Sequence, residues 1–159
     1  MNKEIAALQP ERVWQYFLDI CQIPRPSKKE EKIMEYLLSV GKDLGLETER
    51  DEIGNVLIRK PATAGKEKVT PVIFQGHMDM VCEKNNDSNH NFETDPILPI
   101  IDEGWVTAKG TTLGADDGIG VAIMLALLED KTIQHGPIEC LFTVDEETGL
   151  TGAFKLKEG

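Results

Sequence analysis

Residues 72–80 read VIFQGHMDM. Val72-Ile73-Phe74 is a short unbroken apolar run, the pattern of a central strand covered on both faces. The run passes directly into Gly76-His77-Met78-Asp79. In an extended chain, residues two apart point the same way, so His77 and Asp79 share a face. A second apolar run, 138–144, ends in the same manner at Asp145-Glu146-Glu147-Thr148-Gly149. Between the two, Gly114-Ala115-Asp116-Asp117-Gly118 opens a helix carried by Ile119, Val121, Ala122, Met124, Leu125, Leu127 and Leu128.

Towards the N-terminus, Val13, Trp14, Phe17, Leu18 and Cys21 recur at helical spacing, which predicts a helix over 10–22 that Pro24 and Pro26 terminate. Ser27 followed by Glu30 reads as a capping box opening a helix that runs to Gly45. Strands are expected at 46–51 and 55–60, joined at Ile53-Gly54-Asn55, and a further hairpin strand at 105–108. Residues 61–68 read as a surface loop, and residues 83–96 as a polar loop of unusual length, a type that is often functional. Alternating helices and buried strands indicate an α/β fold, with helices packed on a mixed, largely parallel sheet.

The chain has 159 residues, a usual length for one domain, and carries 28 acidic against 17 basic residues for a net charge of -11. That balance repels phosphates, so neither nucleic acid nor an anionic membrane surface is expected as a partner. No stretch reaches the ~18 apolar residues of a membrane span, and the first residues lack the apolar core of a signal peptide. Cys21, Cys82 and Cys140 are odd in number, form no CxxC pair and lie in or beside apolar segments. They read as free, packed thiols in a reducing, cytoplasmic setting.

Taken singly, each polar cluster has an ordinary explanation. His-x-Asp is commonly a hydrogen-bonded pair, Asp-Asp-Gly a helix cap, Glu-Glu-Thr-Gly a solvated loop. His90 and His135 lie in loops and read as solvated, and Met78, Met80 and Met124 as packing. The ordered set is different, because ligand crevices of α/β sheets lie outside the carboxyl ends of strands and two clusters follow strands directly. One imidazole and up to six carboxylates in one crevice are unfavourable unless cations neutralise them. Imidazole with carboxylate oxygen is a zinc-type donor set, and two metals about 3.5–4 Å apart would use all these groups. Glu146 and Glu147 are adjacent and diverge in extended chain, so one can bind metal while the other faces the crevice as a general base.

The order GHMDM (76–80), GTTLGADDGIG (110–120) and DEETG (145–149) resembles the zinc-dependent M20-type peptidases. Among them it is most similar to the aminoacyl-histidine dipeptidases, also called Xaa-His or β-alanyl-histidine dipeptidases (carnosinase-like). CQIPRPSKKE (21–30), DEIGNVLIRKPATAG (51–65) and EKNND (83–87) extend the likeness over nearly the whole chain. The resemblance implies hydrolysis of dipeptides by a water activated between two zinc ions, with cobalt or manganese as substitutes. It implies His77, Asp116 and Glu147 as metal ligands, with Asp116 bridging, Asp79 as the carboxylate that orients His77, and Glu146 as the general base. It further implies a small peptide substrate and a homodimer for the full-length protein.

Members of this family carry a further ligating Asp, a late ligating His and a lid domain used in substrate binding and dimerisation. Residues 1–159 are therefore expected to be the N-terminal part of one metallopeptidase catalytic domain, truncated and without the lid, binding metal weakly and hydrolysing little by itself. Alternatives are another M20-type amidohydrolase or tripeptidase, a non-catalytic metal-binding or interaction module, and an α/β domain that holds no metal.

Overall fold

Apolar periodicity becomes helices where it is uninterrupted. The computed structural model describes residues 2–157. Helix α1 is Lys3–Ala6, α2 Glu11–Cys21, α3 Glu31–Asp43, α4 Ala115–Glu129 and α5 Thr151–Phe154. Pro10 sits at the N-cap of α2, where its missing N–H costs nothing. Gly45 follows α3 at φ +69°, a left-handed turn that glycine adopts without strain. The capping box is not formed. Helix α3 starts at Glu31 with no side-chain cap, the Ser27 hydroxyl is engaged elsewhere, and a Glu30 carboxylate oxygen accepts the N–H of Lys28 at 2.9 Å.

The strands are β1 Glu47–Arg50, β2 Val56–Lys60, β3 Val72–His77, β4 Pro99–Asp102, β5 Trp105–Ala108 and β6 Ile138–Thr143. Strands β4 and β5 form a separate hairpin, and the other four make a mixed sheet in the order β1-β2-β6-β3. Its parallel component is the β3–β6 pairing, whereas β1–β2 and β2–β6 are antiparallel. The β1–β2 pairing is antiparallel because of the short turn after β1. One Asp51 carboxylate oxygen accepts the N–H groups of Ile53, Gly54 and Asn55 at 2.9, 2.8 and 2.9 Å, and so tight a turn can only return antiparallel.

Among the described residues β6 lies inside the sheet, and β3 does not. Strand β3 occupies the sheet edge, and Val72, Ile73 and Phe74 are 49%, 62% and 37% exposed, while Gly76 and His77 are buried. An apolar run reports what a strand can bury, not how many neighbours it has, so the expected two-sided cover is absent among the described residues. The core lies on one face of the sheet. Val56 and Ile58 of β2 pair with Phe142 and Cys140 of β6, and all four are buried with Phe17, Ile33, Leu37, Val121 and Leu125. Met78, Met80 and Met124 join this core, as does Cys140, and Cys82 is half-buried.

Lys60 links sheet to helix. It is 9% exposed, and its ammonium donates to the carbonyls of Leu127 at 2.8 Å and of Asp130, at the C-terminal end of α4. A cation there satisfies carbonyls that the helix itself leaves open. Lys60→Met keeps the stem and removes both bonds. It is expected to lower stability by about 1–3 kcal/mol, read as a lower urea midpoint at unchanged slope. An unchanged midpoint would remove Lys60 from the list of contributors.

Candidate metal centre

The three polar clusters meet because β3 and β6 run in parallel. Their register sets His77 opposite Thr143, and Met78 N–H donates to the Thr143 carbonyl at 2.9 Å. The end of β3 with the residues after it (77–79) and the chain after β6 (145–147) therefore leave the sheet side by side. The start of α4 closes the third side, and Asp116 and Asp117 there have non-helical backbone, joined by a cis peptide.

His77 stands at the centre. Its Nδ1 lies 3.2 Å from Asp79 Oδ1, its Nε2 lies 3.0 Å from Asp116 Oδ1, and Glu146 Oε2 is 3.9 Å from the same nitrogen. Burial disfavours charge on the ring, but the hydrogen bonds to Asp79 and Asp116 outweigh it and raise its pKa from 6.5 to about 9. Asp79 is fully buried. Burial would raise its carboxyl, yet His77, the Ser27 hydroxyl at 2.6 Å and the N–H groups of Glu146 at 3.0 Å and Glu147 at 3.2 Å all stabilise the anion, which holds it down at about 2. One carboxylate thus orients the imidazole and fixes the backbone that presents both glutamates.

Asp116 and Asp117 diverge. Asp116 is open to solvent and faces His77. Asp117 is held where a Cβ on Gly76 or Gly120 would fall 2.3 or 2.2 Å from its oxygens, so a side chain at either position would have to displace its carboxylate. Burial raises its carboxyl. Donor atoms of His77, Asp116 and Glu147 all lie within 4.8 Å of one another. Burial raises the Glu147 carboxyl, and the nearby Asp116, Glu146 and Asp79 add to the rise while His77 opposes it. A cation among these carboxylates would relieve that repulsion. One imidazole and two carboxylates are donors a divalent ion of the zinc type accepts, so the residues present fit such a group. The hollow beside them holds about 320 Å³ and is lined by His77, Asp116, Asp117, Thr143, Glu146 and Leu150 among others.

Of the five residues singled out from the sequence, His77, Asp116 and Glu146 line that hollow, Glu147 has a donor atom within 4.8 Å of those of His77 and Asp116, and Asp79 is fully buried against His77. Sequence spacing gave no sign of Arg25, Ser27 or Glu30, whose side chains reach these loops from 52 or more residues away in the chain. His90 and His135 do lie in loops, but neither is fully solvated as expected. His90 is half-buried rather than solvated, with Nε2 buried and unpartnered and its ring edge-on to Phe92 at 4.5 Å. His135 is half-buried, with Nδ1 2.7 Å from the Gly136 carbonyl.

No helix among the described residues is long and apolar enough to cross a membrane. The cytosol non-specific dipeptidase of Escherichia coli (strain K12) is 53% identical over 154 residues, which are 97% of this chain and 32% of that protein. The solved aminoacylhistidine dipeptidase of Vibrio alginolyticus superposes with a TM-score of 0.96 at 54% identity, over 99% of this chain and 32% of that one. The aminopeptidase PepT of Bacillus cereus follows with a TM-score of 0.77 at 33% identity, over 94% of this chain and 40% of that one. The chain thus spans about a third of the length of the dipeptidases it matches. The profile of peptidase family M20/M25/M40 matches residues 73–159, the stretch that carries His77, Asp79, Asp116, Glu146 and Glu147, and the chain belongs to that family.

Proposed function

We propose that residues 1–159 form the N-terminal part of one catalytic domain of a two-zinc dipeptidase acting on Xaa-His dipeptides. Cobalt or manganese would substitute for zinc, and the full-length protein would work as a cytoplasmic homodimer. The observation that carries the reading is His77 fixed between Asp79 and Asp116 with Glu147 in reach, all at the ends of two parallel strands and the start of one helix. The relatives named as dipeptidases favour a short peptide as substrate.

In this reading His77, Asp116 and Glu147 would hold the metal. When bound, the ions make a water acidic near neutral pH and polarise the peptide carbonyl. Asp79 keeps the His77 ring in place by accepting from Nδ1, so that Nε2 is the nitrogen presented to the centre. Glu146 lines the hollow and has its carboxylate 3.9 Å from that nitrogen. It takes the proton of the attacking water and returns it to the leaving amine.

The test is hydrolysis by the full-length protein after chelation and reloading with zinc. Xaa-His dipeptides are expected to be cleaved faster than tripeptides or acyl-amino acids. Preference for tripeptides would assign it instead to the tripeptidase branch, and zinc binding without hydrolysis would leave a metal-binding module.

The protonation of His77 gives the centre a signed pH dependence. The folded-state pKa of His77 is raised, so its contribution to the metal-free fold is present below 6.5 and is lost as pH rises through about 9. That of Asp79 is depressed, so its contribution is present above 3.8 and is lost as pH falls through about 2. Below about 9 a cation must displace the His77 proton, so apparent zinc affinity should rise about tenfold per pH unit for each proton released. Calorimetry in buffers of different ionisation enthalpy would read that proton. A pH-independent affinity would remove His77 from the ligand set.

A further inference from the structure

The segment 25–30 touches every loop that carries a candidate ligand. Arg25 is 2% exposed, and its Nη1 donates to the carbonyls of Met78 at 3.1 Å and Asp79 at 2.8 Å, in the chain just after His77. Its Nη2 donates to the carbonyl of Gly114, just ahead of Asp116. The Arg25 carbonyl in turn accepts the N–H of Met80 at 3.2 Å. Ser27 donates to Asp79 at 2.6 Å. Glu30, 5% exposed, accepts the N–H of Asp145 at 2.9 Å, the residue before Glu146.

Arg25 forms no ion pair among the described residues, so its charge is buried against neutral carbonyls. Burying a guanidinium without a carboxylate partner is costly. What the arrangement supplies is geometry, since a planar fork of five donors holds carbonyls from two chain segments in fixed directions, whereas a lysine ammonium is a rotatable point charge. The surrounding chain is built to admit it. A Cβ on Gly114 or Gly118 would fall 2.6 or 2.7 Å from Nη2, and Gly114 also has φ +68°.

We propose that Arg25, Ser27 and Glu30 are positioning residues that set the separation of the three ligand-bearing loops, so that metal affinity and coordination geometry depend on them although none is a ligand. This rests on the metal-centre reading above. Arg25 ties the chain after β3 to the start of α4, Ser27 fixes the carboxylate that orients His77, and Glu30 ties the chain after β6 to the same segment. Together they make one short stretch the common anchor for His77, Asp116 and the Glu146–Glu147 pair.

The test uses the full-length protein, with zinc affinity measured by competition with a chromophoric chelator and the visible absorption of the cobalt-loaded protein as the reporter of geometry. Ser27→Ala and Glu30→Ala are each expected to weaken zinc binding about 10–100-fold and to alter the cobalt bands. Arg25→Met is expected to do so at least as strongly, and because it can fail to fold, the two milder variants decide the matter. Leu37→Ala, a fully buried position in α3 outside the site, is the stability control. It should lower the melting temperature and leave affinity and bands unchanged. The proposal is overturned if folded Ser27→Ala and Glu30→Ala bind zinc like the unsubstituted protein with the same bands, or if Leu37→Ala weakens binding as much as they do. Failure of the unsubstituted protein to bind zinc overturns the metal-centre reading itself, and this inference with it.

Discussion

Glu146→Gln in the full-length protein is expected to lower kcat for dipeptide hydrolysis by about 10²–10⁴-fold while zinc content stays the same. The substitution keeps the size of the side chain and its place beside the hollow but removes the proton acceptor. The Glu146 backbone N–H still donates to Asp79, so the loop after β6 keeps its position. KM should change little, because no group assigned to holding substrate is altered. Metal analysis and steady-state rates on one preparation check both halves. If the variant retains full activity, the proton goes elsewhere and the role assigned to Glu146 is wrong. Glu147→Gln should behave differently, since loss of a ligand lowers metal content first.

His77→Ala is expected to have the largest effect on metal affinity, beyond the ~10–100-fold that losing a mere supporting partner costs. It should also destabilise the metal-free chain near neutral pH. The ring is nearly buried and Asp79 fully so, and truncation leaves Asp79 with its hydroxyl and N–H donors but no charge partner. Breaking a buried charge pair from one side costs about 3–5 kcal/mol. In a domain of this size each kcal/mol is worth about 2–4 °C of melting temperature. A metal-free melting temperature equal to that of the unsubstituted protein would show that the His77–Asp79 pair carries no such weight. Asp79→Asn is the informative companion. It keeps a hydrogen-bond acceptor for the loop but gives up the charge, so the His77 pKa should fall from its raised value.

Much of this was legible in the chain. The positions of α2 and α4, the β1–β2 hairpin and the apolar run of β6 follow from periodicity and turn residues, which are local properties and survive without knowledge of the fold. The three clusters were legible for the same reason: each abuts an apolar segment whose direction is readable, and parallel strands bring such ends to one edge. The family likeness then attached roles to His77, Asp79, Asp116, Glu146 and Glu147.

Tertiary structure alone decided what depends on partners distant in sequence. Val72-Ile73-Phe74 has the same apolar composition whether its strand is central or at an edge, and only strand order showed the edge. Ser27 followed by Glu30 spells a helix cap, yet the Ser27 hydroxyl meets Asp79 and the Glu30 carboxylate meets Asp145, because packing offered buried acceptors and donors that outcompete a solvent-facing cap. Of the two adjacent aspartates, the one that faces His77 is set by backbone geometry at the start of α4 and by the space that Gly76 and Gly120 leave for the other. Periodicity records which face of an element is apolar. Which polar atoms then find each other across that face is settled by three-dimensional proximity, since a buried donor or acceptor must be matched wherever the chain has brought it.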